Sequence, residues 1–80
     1  MRLDKYLKVS RLIKRRTVAN EACDTGRVTI NGKAAKPSAE VKVGDVIGLR
    51  LGGKDVQAEV LSLSEHALKA DAAGMFRLLP

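Results

Sequence analysis

The chain has 80 residues, 15 Lys and Arg against 9 Asp and Glu, and a net charge of +6. A chain of this length is read as one domain, residues 1–80, that buries only about 60% of the surface it exposes when unfolded, so its apolar residues serve one small core with little room for an enclosed substrate cavity. The one cysteine, Cys23, excludes an internal disulfide, and the sequence has no secretory h-region or long apolar run, so a reducing, cytoplasmic setting away from membranes is expected.

Leu3, Tyr6 and Leu7, spaced i, i+3, i+4, predict a first helix with one apolar face, and Arg2, Lys5 and Lys8 follow at steps of three along another. Ser10 ends this helix, and Leu12 and Ile13 tuck in as a short connector. A second helix is predicted from about Arg16 to Asp24. In it Val18 and Ala22 form one i, i+4 row, Ala19 and Cys23 form the adjacent one, and Thr25-Gly26 is the stop. Thr17 is a candidate N-cap, although Asn20 stands where a capping box takes Glu or Gln. The period then changes to two. Arg27 to Ile30 alternates, Asn31-Gly32 signals a hairpin, and Lys33 to Lys36 begin the return strand until Pro37-Ser38 break it. Val43-Gly44-Asp45 turns into a strand in which Ile47, Leu49 and Leu51 share a face. After Gly52-Gly53, Val56, Ala58 and Val60 alternate with Asp55, Gln57 and Glu59. Glu65 to Ala73 is read as a short helix and Met75 to Leu79 as a final edge strand. The expected fold class is α+β, two short helices packed on a small, mainly antiparallel sheet.

The charge is unevenly placed. Residues 2–16 hold Arg2, Lys5, Lys8, Arg11, Lys14, Arg15 and Arg16 against Asp4, whereas residues 17–80 hold eight basic and eight acidic side chains. Such an excess in the first fifth of a chain points to a polyanion, nucleic acid being the usual one. The competing readings are a merely solvated basic helix and, less favoured because the apolar residues are needed for the core, an anionic membrane surface. A guanidinium offers phosphate a planar fork of donors, and a helix N-terminus adds free N–H groups, so Arg15, Arg16 and Thr17 form a candidate phosphate site. Arg16 could instead form a surface pair with Glu21 or Asn20, and Asp4 is read as orienting Arg2 or Lys8. Tyr6 shares the apolar face and is assigned to the core. With Phe76 the one other aromatic ring, a base-stacking platform is not expected. Recognition should then rest on phosphates, shape and 2′-hydroxyls, through Arg2, Lys5, Lys8, Arg11, Lys14, Arg15, Arg16 and Thr17. His66 and Cys23 stand alone in a sequence without metal-ligand spacing, so no metal, cofactor or catalytic residue is expected. Cys23 is read as a small buried hydrophobe.

In chain order, Arg2-Leu3-Asp4-Lys5-Tyr6-Leu7, Arg15-Arg16-Thr17-Val18-Ala19, Gly26-Arg27-Val28 with Asn31-Gly32, and Gly44-Asp45 resemble the S-four RNA-binding domain, also called the alpha-L motif. The resemblance covers roughly residues 1–51 and leaves 52–80 as a C-terminal sheet extension. It implies that Arg2 and Arg16 match the arginines opening the family's two helices, that Asp4 matches its acidic position, and that the helical part with its flanking loop faces RNA. Many members carry a small hydroxyl residue where this chain has Arg15, which here adds charge. Arg2 to Lys5 with Val9 to Thr17 is similar to the stand-alone bacterial members of ribosome-associated quality control, whose sister group is heat-shock-induced. That similarity implies binding to the rRNA of the large ribosomal subunit and to tRNA as peptidyl-tRNA. It also implies support for C-terminal tailing by a partner of the NEMF/RqcH type, with the protein acting as a monomer. Two alternatives stay open. One is a general rRNA-binding or ribosome-assembly factor. The other is a helix-turn-helix DNA regulator, disfavoured because the second helix has few polar residues to read base edges.

Overall fold

The first helix, α1 (Leu3–Val9), forms where its apolar spacing places Leu3, Tyr6 and Leu7 on one side, and all three are fully buried. No side chain caps it. The free N–H groups of its first turn are instead taken up by a loop distant in sequence: Leu3 donates to the Ala39 carbonyl at 2.8 Å and Asp4 to that of Pro37 at 3.1 Å. An isolated antiparallel bridge between Arg2 and Glu40, and a bond from the Val41 N–H to the Met1 carbonyl at 2.9 Å, continue this attachment. The segment 37–41 thus fixes the direction in which α1 enters the fold.

The computed structural model describes residues 1–51, 53–63 and 74–79, with the backbone alone for Leu51. The expected helix at Glu65 to Ala73, with His66, lies outside the described residues, as does Gly52. The elements after α1 are α2 (Arg16–Asp24), β1 (Val28–Ile30), β2 (Lys33–Ala34), β3 (Val46–Leu51), β4 (Lys54–Val60) and β5 (Phe76–Leu79). The strands form one antiparallel sheet in the order β2-β1-β3-β4-β5, so the fold is α+β, with two helices on a five-stranded sheet among the described residues.

Both helices stop on a left-handed residue. After α2 it is Gly26, at φ 75°: its N–H donates to the Cys23 carbonyl and that of Arg27 to the Ala22 carbonyl, the paired bonds of a Schellman ending. After α1 it is Arg11, at φ 63°, whose N–H donates to the Lys8 carbonyl at 3.0 Å, while Ile13 reaches back to Leu7 at 3.1 Å. The connector therefore folds under the helix, and Ile13 is buried.

Three expectations change. α2 begins at Arg16, but the residue in the N-cap position is Arg15, in extended conformation and without a side-chain cap bond, so Thr17 lies inside the first turn. Val18 is 44% exposed, while Ala19, Ala22 and Cys23 are buried. The small side of α2 is the side that packs on α1, and Val18 lies one step round the helix from it. The return strand is only Lys33–Ala34, although Ala35 still donates to the Val28 carbonyl.

The hairpin signal holds in detail. Asn31 and Gly32 both have positive φ, at 53° and 84°, and Ile30 pairs with Lys33. Asn31 also locks the hairpin to the next strand, its Oδ1 accepting from the Val46 N–H at 3.0 Å. The core joins the α1 and α2 residues to Val28, Val41, Ile47, Leu49, Val60 and Met75. Tyr6 crosses it, and its hydroxyl donates to the Met75 carbonyl at 2.7 Å. Burial pushes the phenol up to about 12.

Candidate nucleic-acid interface

Asp4 lies one residue inside α1 and is buried, 1% exposed. A carboxylate in that position needs hydrogen-bond donors, and it has four. The Lys5 N–H donates to Oδ1 at 2.8 Å. Arg2 Nη2 donates to Oδ2 at 3.3 Å, Arg16 Nε to Oδ2 at 3.4 Å and Asn20 Nδ2 to Oδ2 at 3.2 Å. The carboxylate reads as an orienter, as expected, but its second cation is Arg16 and not Lys8. Arg16 is also paired with Asp4, and not with Glu21 or Asn20, the alternative partners considered for it. Packing of α1 on α2 brings it there across 12 positions of sequence.

The two arginines are about half exposed, at 53% and 48%. Each therefore has one edge held by a buried acceptor and another facing solvent. A charged hydrogen bond contributes about 1.5–3 kcal/mol, and water around the exposed half of each guanidinium lowers that. Asn20 is a member of the site that the sequence reading does not include among the contact residues. Its signal was the i, i+4 step from Arg16, which places both on one side of α2. Glu21 and Asp24 line the same open hollow as Arg2, Asp4, Arg16 and Thr17, so the hollow itself is not cationic and the accessible positive charge is on the arginine side.

Lys8, Arg11 and Lys14 converge elsewhere, around a second hollow at the turn leaving α1, and no carboxylate lines it. All three are exposed. Arg15 is exposed in the N-cap position of α2, between the two groups, and Lys5 is half-buried on the flank of α1. The expected contact residues thus fall into a braced group, Arg2 and Arg16 with Thr17 beside them, and an unbraced group, Lys8, Arg11 and Lys14. Arg15 and Lys5 belong to neither.

The remaining chemistry is sparse. Among the described residues no three His, Cys, Asp or Glu side chains gather where they could hold a metal ion. Cys23 is buried, and burial, helped by the charges of Asp4 and Asp24, pushes its thiol up to about 11. No helix among the described residues is long and apolar enough to cross a membrane.

Comparison with known proteins agrees with this architecture. The family model described as the S4 domain matches residues 1–47. The chain is 52% identical over 79 residues to the RQC P-site tRNA stabilizing factor of Streptococcus pneumoniae, covering 99% of this chain and 90% of that protein. It is 53% identical, again over 79 residues, to the factor of the same name from Bacillus subtilis, covering 99% and 92%. The trimeric structure of Vibrio cholerae heat shock protein 15 superimposes with a TM-score of 0.91 at 34% identity, over 99% of this chain and 81% of that one. Helices, sheet and sequence thus agree on one assignment: the chain belongs to the S4 domain family.

Proposed function

We propose that the protein binds RNA on the ribosome through its helical part, holding rRNA of the large subunit and a peptidyl-tRNA together during quality control of stalled chains. The observation that carries the reading is the Asp4 brace. One buried carboxylate gathers the arginines that open both helices and leaves one edge of each guanidinium in solvent. Arg2 and Arg16 would set register on the phosphate backbone, and Lys8, Arg11, Lys14 and Arg15 would add attraction, with Lys5 and Thr17 at the margins. The relatives named for stabilising a P-site tRNA support the tRNA half of the reading.

In this role the protein acts as a monomer in the cytoplasm and only holds. It keeps the tRNA in one place while a partner of the NEMF/RqcH type extends the stalled chain. The helix-turn-helix alternative loses ground, because beyond Arg16 and Thr17 the exposed side of α2 carries Val18, Glu21 and Asp24, a poor set for reading base edges in a major groove. The test is C-terminal tail length on a nonstop reporter in cells with and without the protein. Tails should shorten or vanish on loss while ordinary translation continues. Unchanged tails, with equal co-sedimentation on empty and peptidyl-tRNA-bearing subunits, would leave general rRNA binding or assembly as the function.

A further inference from the structure

Arg27 and Arg50 lie outside the cationic segment and on another part of the fold. The β1–β3 register pairs Val28 with Leu49, and one further step sets Arg27 opposite Arg50. The Arg50 N–H donates to the Arg27 carbonyl at 2.9 Å, so the two backbones are in direct contact. Strand alternation puts Thr29, Gly48, Arg50 and Gln57 on the outer face of the sheet, away from the buried Val28, Ile47 and Leu49. With Arg27 and the carboxylate of Asp55 these residues line an open hollow of about 320 Å³.

Two features of this hollow call for a ligand. Like charges directly opposite each other on neighbouring strands are destabilising, and here only one is compensated within the fold. Arg50 Nε donates to Asp55 Oδ1 at 3.0 Å in a well-exposed pair. The Arg27 guanidinium has no bonding partner among the described residues. The floor of the hollow is also kept clear: a Cβ at Gly48 would run into the Thr29 Oγ1, so a larger residue there would displace the hydroxyl and fill the space.

We propose that this hollow is a second RNA site, taking a backbone phosphate of a strand other than the one on the helical part. The forks of Arg27 and Arg50 meet the phosphate oxygens, and the Thr29 hydroxyl and Gln57 amide, each both donor and acceptor, meet the adjoining 2′-hydroxyl. An acidic peptide offers carboxylates and backbone groups to the same side chains, so polyglutamate is the competing probe in the experiment below. The inference rests on the proposed function, because a protein that holds two RNAs together needs two RNA surfaces, each raising the effective concentration of the other's ligand.

The experiment uses the full chain, large-subunit rRNA tethered to beads, and fluorescent deacylated tRNA in solution. Wild-type protein should retain tRNA on the beads. The double variant Arg27→Gln, Arg50→Gln should still bind the tethered rRNA but capture about tenfold less tRNA. Its thermal midpoint should match or exceed that of wild type, because the like-charge pair is gone. Capture equal to wild type, a lowered midpoint, or displacement of tRNA by polyglutamate as readily as by unlabelled tRNA would each overturn the proposal. Arg16→Ala separates it from the reading beneath it: bead binding unaffected by Arg16→Ala counts against the helical surface, while loss of tRNA capture through Arg27 and Arg50 is read independently.

Discussion

The two cation groups of the helical part are held by opposite means. Arg2 and Arg16 are fixed by a buried carboxylate, which gives them direction but neutralises one of their two charges. Lys8, Arg11 and Lys14 line a hollow with no acid in it, and so retain their full charge, but only the backbone turn at Arg11 places them. The first arrangement suits register on a phosphate backbone, the second attraction and salt sensitivity. The helix endings differ in the same sense. α2 closes on Gly26, which takes the left-handed turn at no steric cost, and α1 closes on Arg11, where an L side chain pays roughly 1–2 kcal/mol.

The largest effect is expected where direction matters most. Arg16→Ala and Arg2→Ala should each weaken binding to rRNA by one to two decades, the equivalent of about 1.5–3 kcal/mol for a charged hydrogen bond, with folding intact by circular dichroism. Arg16→Lys should recover only part of the loss, because lysine restores the charge without the fork. Full recovery in a filter-binding titration would erase the distinction between the two groups.

Arg11→Gly sharpens the comparison from the other side. It should raise stability by about 1 kcal/mol or less, since glycine relieves the left-handed strain but adds freedom to the unfolded chain. It should also reduce the slope of log affinity against log salt by about one unit. Gain of stability together with loss of salt dependence would show an arginine kept at a strained turn for its charge.

A smaller effect concerns pH. Tyr6 is raised from 10.0 to about 12 and Cys23 from 9.0 to about 11 by burial. Above the ordinary values the unfolded chain has lost protons that the folded chain still holds, so deprotonation favours unfolding. Stability should be flat up to about pH 9 and fall from there to about pH 12 in chemical denaturation, with Cys23→Ala delaying the onset. The smallest effect is expected at Lys54 and Arg77. The former is exposed at the start of β4, and the latter is paired with Glu59 at 2.6 Å, so neutralising either should leave rRNA affinity almost unchanged.

The parts of the fold that local chemistry decides were legible in the sequence. Thr25-Gly26 marks the end of α2, Asn31-Gly32 marks the hairpin, and the i, i+3, i+4 spacing of Leu3, Tyr6 and Leu7 marks the buried face of α1. What depended on how the elements meet was not. Val18 and Ala19 begin equivalent apolar rows, and only the docking of α2 decides that Val18 faces solvent. Asp4 could be read as an orienter from its neighbours, but Arg16 and Asn20 reach it only because α1 and α2 are packed together. Arg27 meets Arg50 through a strand register that no single segment encodes.

Asp4 places the two arginines, and in the proposed function this placement matters more to binding than net charge. The measurement that tests it most directly is the Kd of Asp4→Asn for an rRNA fragment at fixed salt, with thermal unfolding to confirm a folded variant. The substitution removes a negative charge beside the proposed contact surface and takes the net charge one unit above the present +6. Attraction by charge alone would make the variant bind more tightly. The brace requires the opposite, a loss of about tenfold, because a neutral amide no longer gives the guanidiniums a charged acceptor. Unchanged or tighter binding by folded Asp4→Asn would contradict the account.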